Sequence, residues 1–200
     1  MSMVVHNFEK PDRFVAGTVG EPGQRTFFLQ AKEGARVTSV ALEKQQVAIL
    51  AERMDLLLDE ALRRSGGDAA IPAVAPVGLG DGNPLDQPIV EEFRVGTITL
   101  SWDADDGSVV IELFPVSEES VASESLDDDA DETAESDAEI EVEASEVLVV
   151  KLDPGYARSF VRRANSVVSA GRPPCQFCGN PVDPDGHLCP RSNGFKRIAN

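Results

Sequence analysis

Two hundred residues with 42% hydrophobic side chains are enough for one domain with its own core and a small appendage. The formal net charge of −17 is local: residues 118–143 hold 13 of the 35 acidic residues and none of the 18 basic ones, and the rest of the chain nets only −4. That tract repels nucleic acid, and with no basic-then-apolar leader and no apolar run near ~18 residues, a cytoplasmic protein without a membrane span is expected.

After a short polar start, residues 13–19 and 25–32 read as strands separated by Glu21-Pro22-Gly23, where Pro presets φ and Gly accepts a positive one. Lys32-Glu33-Gly34 turns the chain into a third strand, 36–42. The period then changes. Val47, Leu50, Met54, Leu57, Leu58 and Ala61 recur at three and four residues, which predicts a helix over 45–64 packed on a sheet and stopped by Ser65-Gly66-Gly67.

Residues 65–90 are rich in Gly and Pro without periodicity, the composition of a linker or surface excursion. Strands follow at 92–102 and 108–116, joined by Asp105-Asp106-Gly107, a strong hairpin signal. The acidic insert, 117–145, has the composition of a solvated, disordered loop. A strand at 147–152 resumes beyond it, and Asp153-Pro154 opens the last helix as N-cap and first helical residue, with Tyr156, Phe160, Ala164 and Val167 on its inner face.

The order β-β-β-α then β-β-(insert)-β-α raises an internal duplication. Phe14-x-x-Gly17-Thr18 is echoed by Phe93-x-x-Gly96-Thr97, and Leu42 with Arg53 by Leu152 with Arg163; chance similarity of short apolar segments would give the same. The expected fold is α+β: an antiparallel sheet of about six strands packed by two helices, over residues 1–170, with a zinc knuckle and tail at 171–200.

The chemistry-bearing motif is at that end. Cys175-Gln176-Phe177-Cys178-Gly179 is followed, with eight residues intervening after Cys178, by His187-Leu188-Cys189-Pro190. Two cysteines two residues apart can aim both sulfurs at one ion, and the second pair completes a tetrahedron around a structural Zn²⁺ held by Cys175, Cys178, His187 and Cys189. The three cysteines are an odd number in a reducing compartment, which favours a metal over a disulfide framework. A redox Cys-x-x-Cys belongs at a helix start after a strand, whereas this one follows a helix and Pro173-Pro174. The deaminase pattern needs an upstream His-x-Glu, and His6-Asn7-Phe8 lacks it. A segment so short has almost no core, so metal binding would supply most of its folding free energy.

Other signals are weaker. Gly78-Leu79-Gly80-Asp81-Gly82 lacks the strand before it and the Gly-Lys-Ser/Thr after it that a phosphate loop requires. Asp103, Asp105 and Asp106 lack a calcium loop's closing Glu. No nucleophile, base and orienter fall together, and two histidines leave little for acid–base work. Arg25, Arg53 and Arg163 are candidates for an anion site in a cleft between the halves, against the ordinary alternative of long stems lying along a helix edge.

The run Phe14-Val15-Ala16-Gly17-Thr18-Val19-Gly20-Glu21-Pro22-Gly23-Gln24-Arg25-Thr26-Phe27, the run Val40-Ala41-Leu42-Glu43-Lys44-Gln45-Gln46, and Cys175-x-x-Cys178-Gly179 with Gly186-His187-Leu188-Cys189-Pro190-Arg191 together resemble an uncharacterised actinobacterial family, domain of unknown function number 3090. The resemblance spans nearly the whole chain except the acidic tract. It implies no activity; only the zinc tail carries over, onto Cys175, Cys178, His187 and Cys189. A non-enzymatic binding or adaptor module with a protein partner is therefore expected. The alternative is an enzyme or regulator that takes a nucleotide or phosphorylated small molecule. Nucleic-acid binding through the knuckle is weakly supported, since 171–200 nets only +2.

Overall fold

A computed structural model describes residues 3–66, 70–116, 145–171, 175–178, 182, 189 and 191. Of the acidic insert, 117–145, only Ser145 lies within this range, and Gly67 and His187 lie outside it. The elements are β1 (Val4–Phe8), β2 (Arg13–Val19), β3 (Thr26–Glu33), β4 (Arg36–Leu42), α1 (Lys44–Arg64), a single 3₁₀ turn (Val77–Leu79), β5 (Glu91–Asp103), β6 (Ser108–Pro115), β7 (Glu146–Leu152) and α2 (Pro154–Ser169).

The architecture is α+β, but the sheet has seven strands and is mixed, correcting the expectation of about six antiparallel ones. Its order is β1-β7-β6-β5-β4-β3-β2. Two antiparallel meanders, β2-β3-β4 and β5-β6-β7, each followed by a helix, meet along a parallel β4–β5 junction. The parallel join has a physical cause: β4 and β5 are separated by α1 and the segment after it, a crossover long enough to bring the chain back in the same direction, as no hairpin can. The additional strand, β1, pairs in parallel with β7, Val4 opposite Glu146 and Phe8 opposite Val150.

β1 and β2 lie at opposite edges of the sheet, yet only residues 9–12 separate them. The sheet must therefore curl until its edges approach. Side chains fasten that approach: Arg36 Nη2 donates to the Asn7 carbonyl and its guanidinium lies 4.1 Å above the Phe8 ring, and the Gly34 amide donates to Asp12 Oδ2 at 2.6 Å. β5 serves both meanders in turn, with a register shift between Val95 and Thr97. Gly96 stands at that shift, and a Cβ there would meet the Val116 backbone at 2.8 Å.

Both helices pack on one face. Val47, Leu50, Met54 and Leu58 of α1 and Ala157, Phe160 and Ala164 of α2 join Phe8, Leu29, Leu42, Ile111, Leu113 and Leu148 in one core. Phe14 and Phe160 stack with ring centroids 4.8 Å apart. The predicted α1 stripe faces inward, whereas Tyr156, assigned to the inner face of α2, is 40% exposed. Asp153 caps α2 as expected, its Oδ1 accepting from the Gly155 amide at 2.8 Å. At the start of α1, Gln46 Oε1 accepts from the Glu43 amide at 2.8 Å and its Nε2 donates to the Val95 carbonyl, tying helix to β5.

The opposite face of the first meander is covered by the Gly/Pro-rich segment. Leu85 is buried there against Val15, Phe28 and Ala41, with Ile89 alongside. A Cβ on Gly17 would lie 2.6 Å from Leu85 Cγ, so Gly at 17 makes room for this clasp. Its backbone is held too: Gln30, buried, donates to the Asp86 carbonyl and accepts from the Asp86 amide at 2.7 Å.

Candidate metal centre

The chain leaves α2 under the control of Arg25, whose Nη1 donates to the Ala170 carbonyl at 2.6 Å and Nη2 to the Val167 carbonyl at 3.1 Å. The guanidinium also lies 4.9 Å above the Phe27 ring. A cation at a helix C-terminus satisfies carbonyls that lack helical partners and complements the macrodipole.

Five residues past that cap, Cys175-Gln176-Phe177-Cys178 forms a turn, and Cys189 returns to it. The three Sγ atoms all lie within 4.8 Å of one another, with Cys189 buried and Cys175 and Cys178 half-buried. Cys175 Sγ and Cys189 Sγ are 3.7 Å apart. That distance is too long for an S–S bond of about 2 Å. It matches the edge of a tetrahedron whose metal–sulfur bonds are about 2.3 Å, which is about 3.8 Å.

Amide donors around Cys175 favour its thiolate. The Cys178 N–H first, then that of Phe177 at 3.4 Å, bring the Cys175 thiol down to about 7. Thiolate is the form that ligates metal. Arg191 Nη1 donates to the Phe177 carbonyl at 3.1 Å and so ties Arg191 to the turn. The fourth predicted ligand, His187, lies outside the described residues.

The family model described as "Protein of unknown function (DUF3090)" matches residues 6–189. The chain belongs to this family. The match runs from His6 on β1 to Cys189 and thus takes in the sheet, both helices and all three thiols of this DUF3090 chain. No curated protein and no solved structure matches it.

The three arginines named from the sequence have separate placements. Arg25 caps α2 as described. Arg53 is exposed on α1. Arg163 Nε donates to the Ala16 carbonyl at 2.7 Å, on edge strand β2, while its Nη1 donates to Asp81 Oδ1 at 3.0 Å and its Nη2 to the Asn83 carbonyl. Sequence reasoning missed the partners of Arg163. Arg13 reaches the same Asp81 through Nε at 2.5 Å and also pairs with Asp86 at 2.8 Å. The hydrogen bond from Arg13 holds the Asp81 carboxyl below its ordinary range, and those from Lys32 and Arg13 do the same for Asp86. Burial pulls Arg163 down, although a guanidinium stays charged at any physiological pH. No local motif marks such a group; Arg13 and Asp81 stand 68 residues apart. Arg158, only 4% exposed, likewise bridges Asp55 and Asp59 of α1 and the Pro72 carbonyl.

Arg25 has a second neighbourhood. With Lys44 and Arg94 it lines a surface pocket of about 450 Å³ floored by Phe27 and Leu42. Glu43 stands at the same pocket, paired with Arg94 at 2.6 Å. The hinted calcium loop holds an ammonium in its place: Lys151 Nζ is 3.0 Å from Asp106 and 3.4 Å from Asp103.

Proposed function

We propose that this protein is a zinc-binding, cytoplasmic, non-enzymatic binding module in which Cys175, Cys178, Cys189 and His187 hold one structural Zn²⁺. The reading rests on three thiols converging at the spacing a tetrahedral thiolate site requires. Four ligands close the coordination sphere, so the ion organises a surface rather than activating water. Phe177, 64% exposed on the Cys-x-x-Cys turn, gives that surface an aromatic contact for a protein partner. Quantifying metal in protein purified without chelators tests the centre: one zinc per chain is expected, and less than half an equivalent defeats the reading. Capture of the same partner by wild type but not by the Phe177→Ala protein, zinc content being equal, tests the surface.

The pocket at Arg25, Lys44 and Arg94 favours a second reading, a regulator that takes a phosphorylated small molecule. Three cations face one carboxylate there, and ligand binding to the native state alone raises the melting temperature. A thermal-shift panel of nucleotides and sugar phosphates, repeated on Arg94→Ala, separates this reading from the first.

A further inference from the structure

A second group of metal-ligating side chains lies well away in sequence from the thiols. It comes from three strands: His6 of β1, Glu146 of β7 and Glu92 of β5. One ligand atom of each lies within 4.8 Å of the other two, and His6 Nε2 is 2.5 Å from Glu146 Oε1.

The strand register explains how His6 and Glu146 meet. Val4 is opposite Glu146 and His6 opposite Leu148, and side chains alternate between faces along a strand. His6 therefore shares a face with Phe8, and Glu146 with Leu148 and Val150, all three of which are in the core. His6 and Glu146 stand where this face runs out to solvent, with side chains 21% and 24% exposed. Glu92, exposed, enters from the start of β5, two strands away from β7.

A carboxylate pair so close is electrostatically unfavourable without a cation. Several partly buried acids elsewhere have one: Asp81 meets Arg13 and Arg163, Asp86 meets Lys32, and Asp103 meets Lys151. Among the described residues neither Glu92 nor Glu146 lies within ion-pair distance of a Lys or Arg, and the imidazole of His6 is all that faces them. A divalent ion would use all three groups, accepting the Nε2 lone pair and one oxygen from each carboxylate.

We infer that His6, Glu92 and Glu146 form a second metal site, for a first-row divalent cation such as Zn²⁺, Mn²⁺ or Co²⁺. One imidazole with two carboxylates is a donor set suited to these ions rather than to a soft ion such as Cu(I). Three protein ligands leave coordination positions for water or for an oxygen of a bound molecule, unlike the closed thiolate centre. The two sites are chemically distinct, and neither depends on the other.

The test uses the full-length chain with Cys175, Cys178 and Cys189 all changed to Ser, stripped of metal and titrated with Co²⁺ in the presence of excess Mg²⁺. Saturable binding of one equivalent is expected, with d–d absorption and no sulfur-to-cobalt charge transfer. Glu92→Gln should weaken it by about a hundredfold, on the order of what loss of a group in a metal site costs. His6→Ala and Glu146→Gln should do the same. Among the described residues the Glu92 side chain makes no hydrogen bond or ion pair that holds strands together, so its variant keeps the fold and decides the matter even where the His6 variant does not. Absence of a saturable equivalent overturns the proposal. So does an equivalent whose affinity Glu92→Gln leaves unchanged, which would place the ion on the acidic tract or elsewhere. In the unsubstituted protein, a second Co²⁺ equivalent should bind without adding to the charge-transfer band, whatever becomes of the first.

Discussion

Replacing Asp81 with Ala removes the carboxylate on which Arg13 and Arg163 converge. The Arg13 and Arg163 side chains are 15% and 12% exposed and Asp81 is 25% exposed, so the group is closer to a buried than to a surface pair. Surface pairs contribute up to about 1 kcal/mol, and removing one partner of a fully buried pair costs about 3 to 5 kcal/mol. Neither arginine is orphaned: Arg13 keeps Asp86 and the Asn83 and Pro84 carbonyls, and Arg163 keeps the carbonyls of Ala16, Asp81 and Asn83. The expected loss is therefore about 2 kcal/mol, which with a urea m-value of about 2 kcal/mol/M lowers the midpoint by about 1 M. Circular dichroism in urea measures it, and cleavage within residues 70–90 by dilute protease reports the clasp directly. A midpoint shift below about 0.25 M, with unchanged cleavage, would refute the idea that this carboxylate anchors the segment to the β2 edge.

The same substitution carries a pH signature. The folded-state pKa of Asp81 is depressed, so its stabilisation is present above the unfolded value of about 3.9 and is lost as pH falls through the lower folded value; the gap between wild type and Asp81→Ala should narrow when unfolding is measured near pH 3. Gly17→Ala drives a methyl group into Leu85 and should cost about 1 to 3 kcal/mol. Leu85→Ala should cost about 2 to 3 kcal/mol, and the double variant less than the sum, as a thermal double-mutant cycle would show. Cys189→Ser removes the buried thiol and should drop zinc to well below one equivalent while leaving the unfolding free energy of the sheet domain within about 0.5 kcal/mol of wild type; full zinc retention would contradict the thiolate cage.

Much of the fold was legible locally. The stripe Val47, Leu50, Met54, Leu58 faces the core, Asp105-Asp106-Gly107 turns β5 into β6 with Gly107 at φ +61°, and Pro154 opens α2. Each is written in consecutive residues. What escaped was pairing over distance. Val4-Val5-His6-Asn7-Phe8 has little alternation to mark it as a strand, and only its match to β7, some 140 residues on, makes it one. Leu85 is a lone apolar residue among prolines and glycines, so nothing nearby announces that it seals a sheet face. The thiols were legible because their spacing is itself the chemistry, whereas His6, Glu92 and Glu146 become a group only after three strands are aligned.

The β1–β7 seam has a consequence for biosynthesis. β1 leaves the ribosome early but can zip onto the sheet only after both meanders and the acidic tract have been made, and joining such distant segments carries a loop-closure cost that slows folding. Until the seam closes β7 presents an unprotected edge, the kind of surface on which nascent chains stick to one another. A polar, charge-rich tract immediately upstream of that edge would keep neighbouring chains apart through mutual repulsion while the seam waits to close.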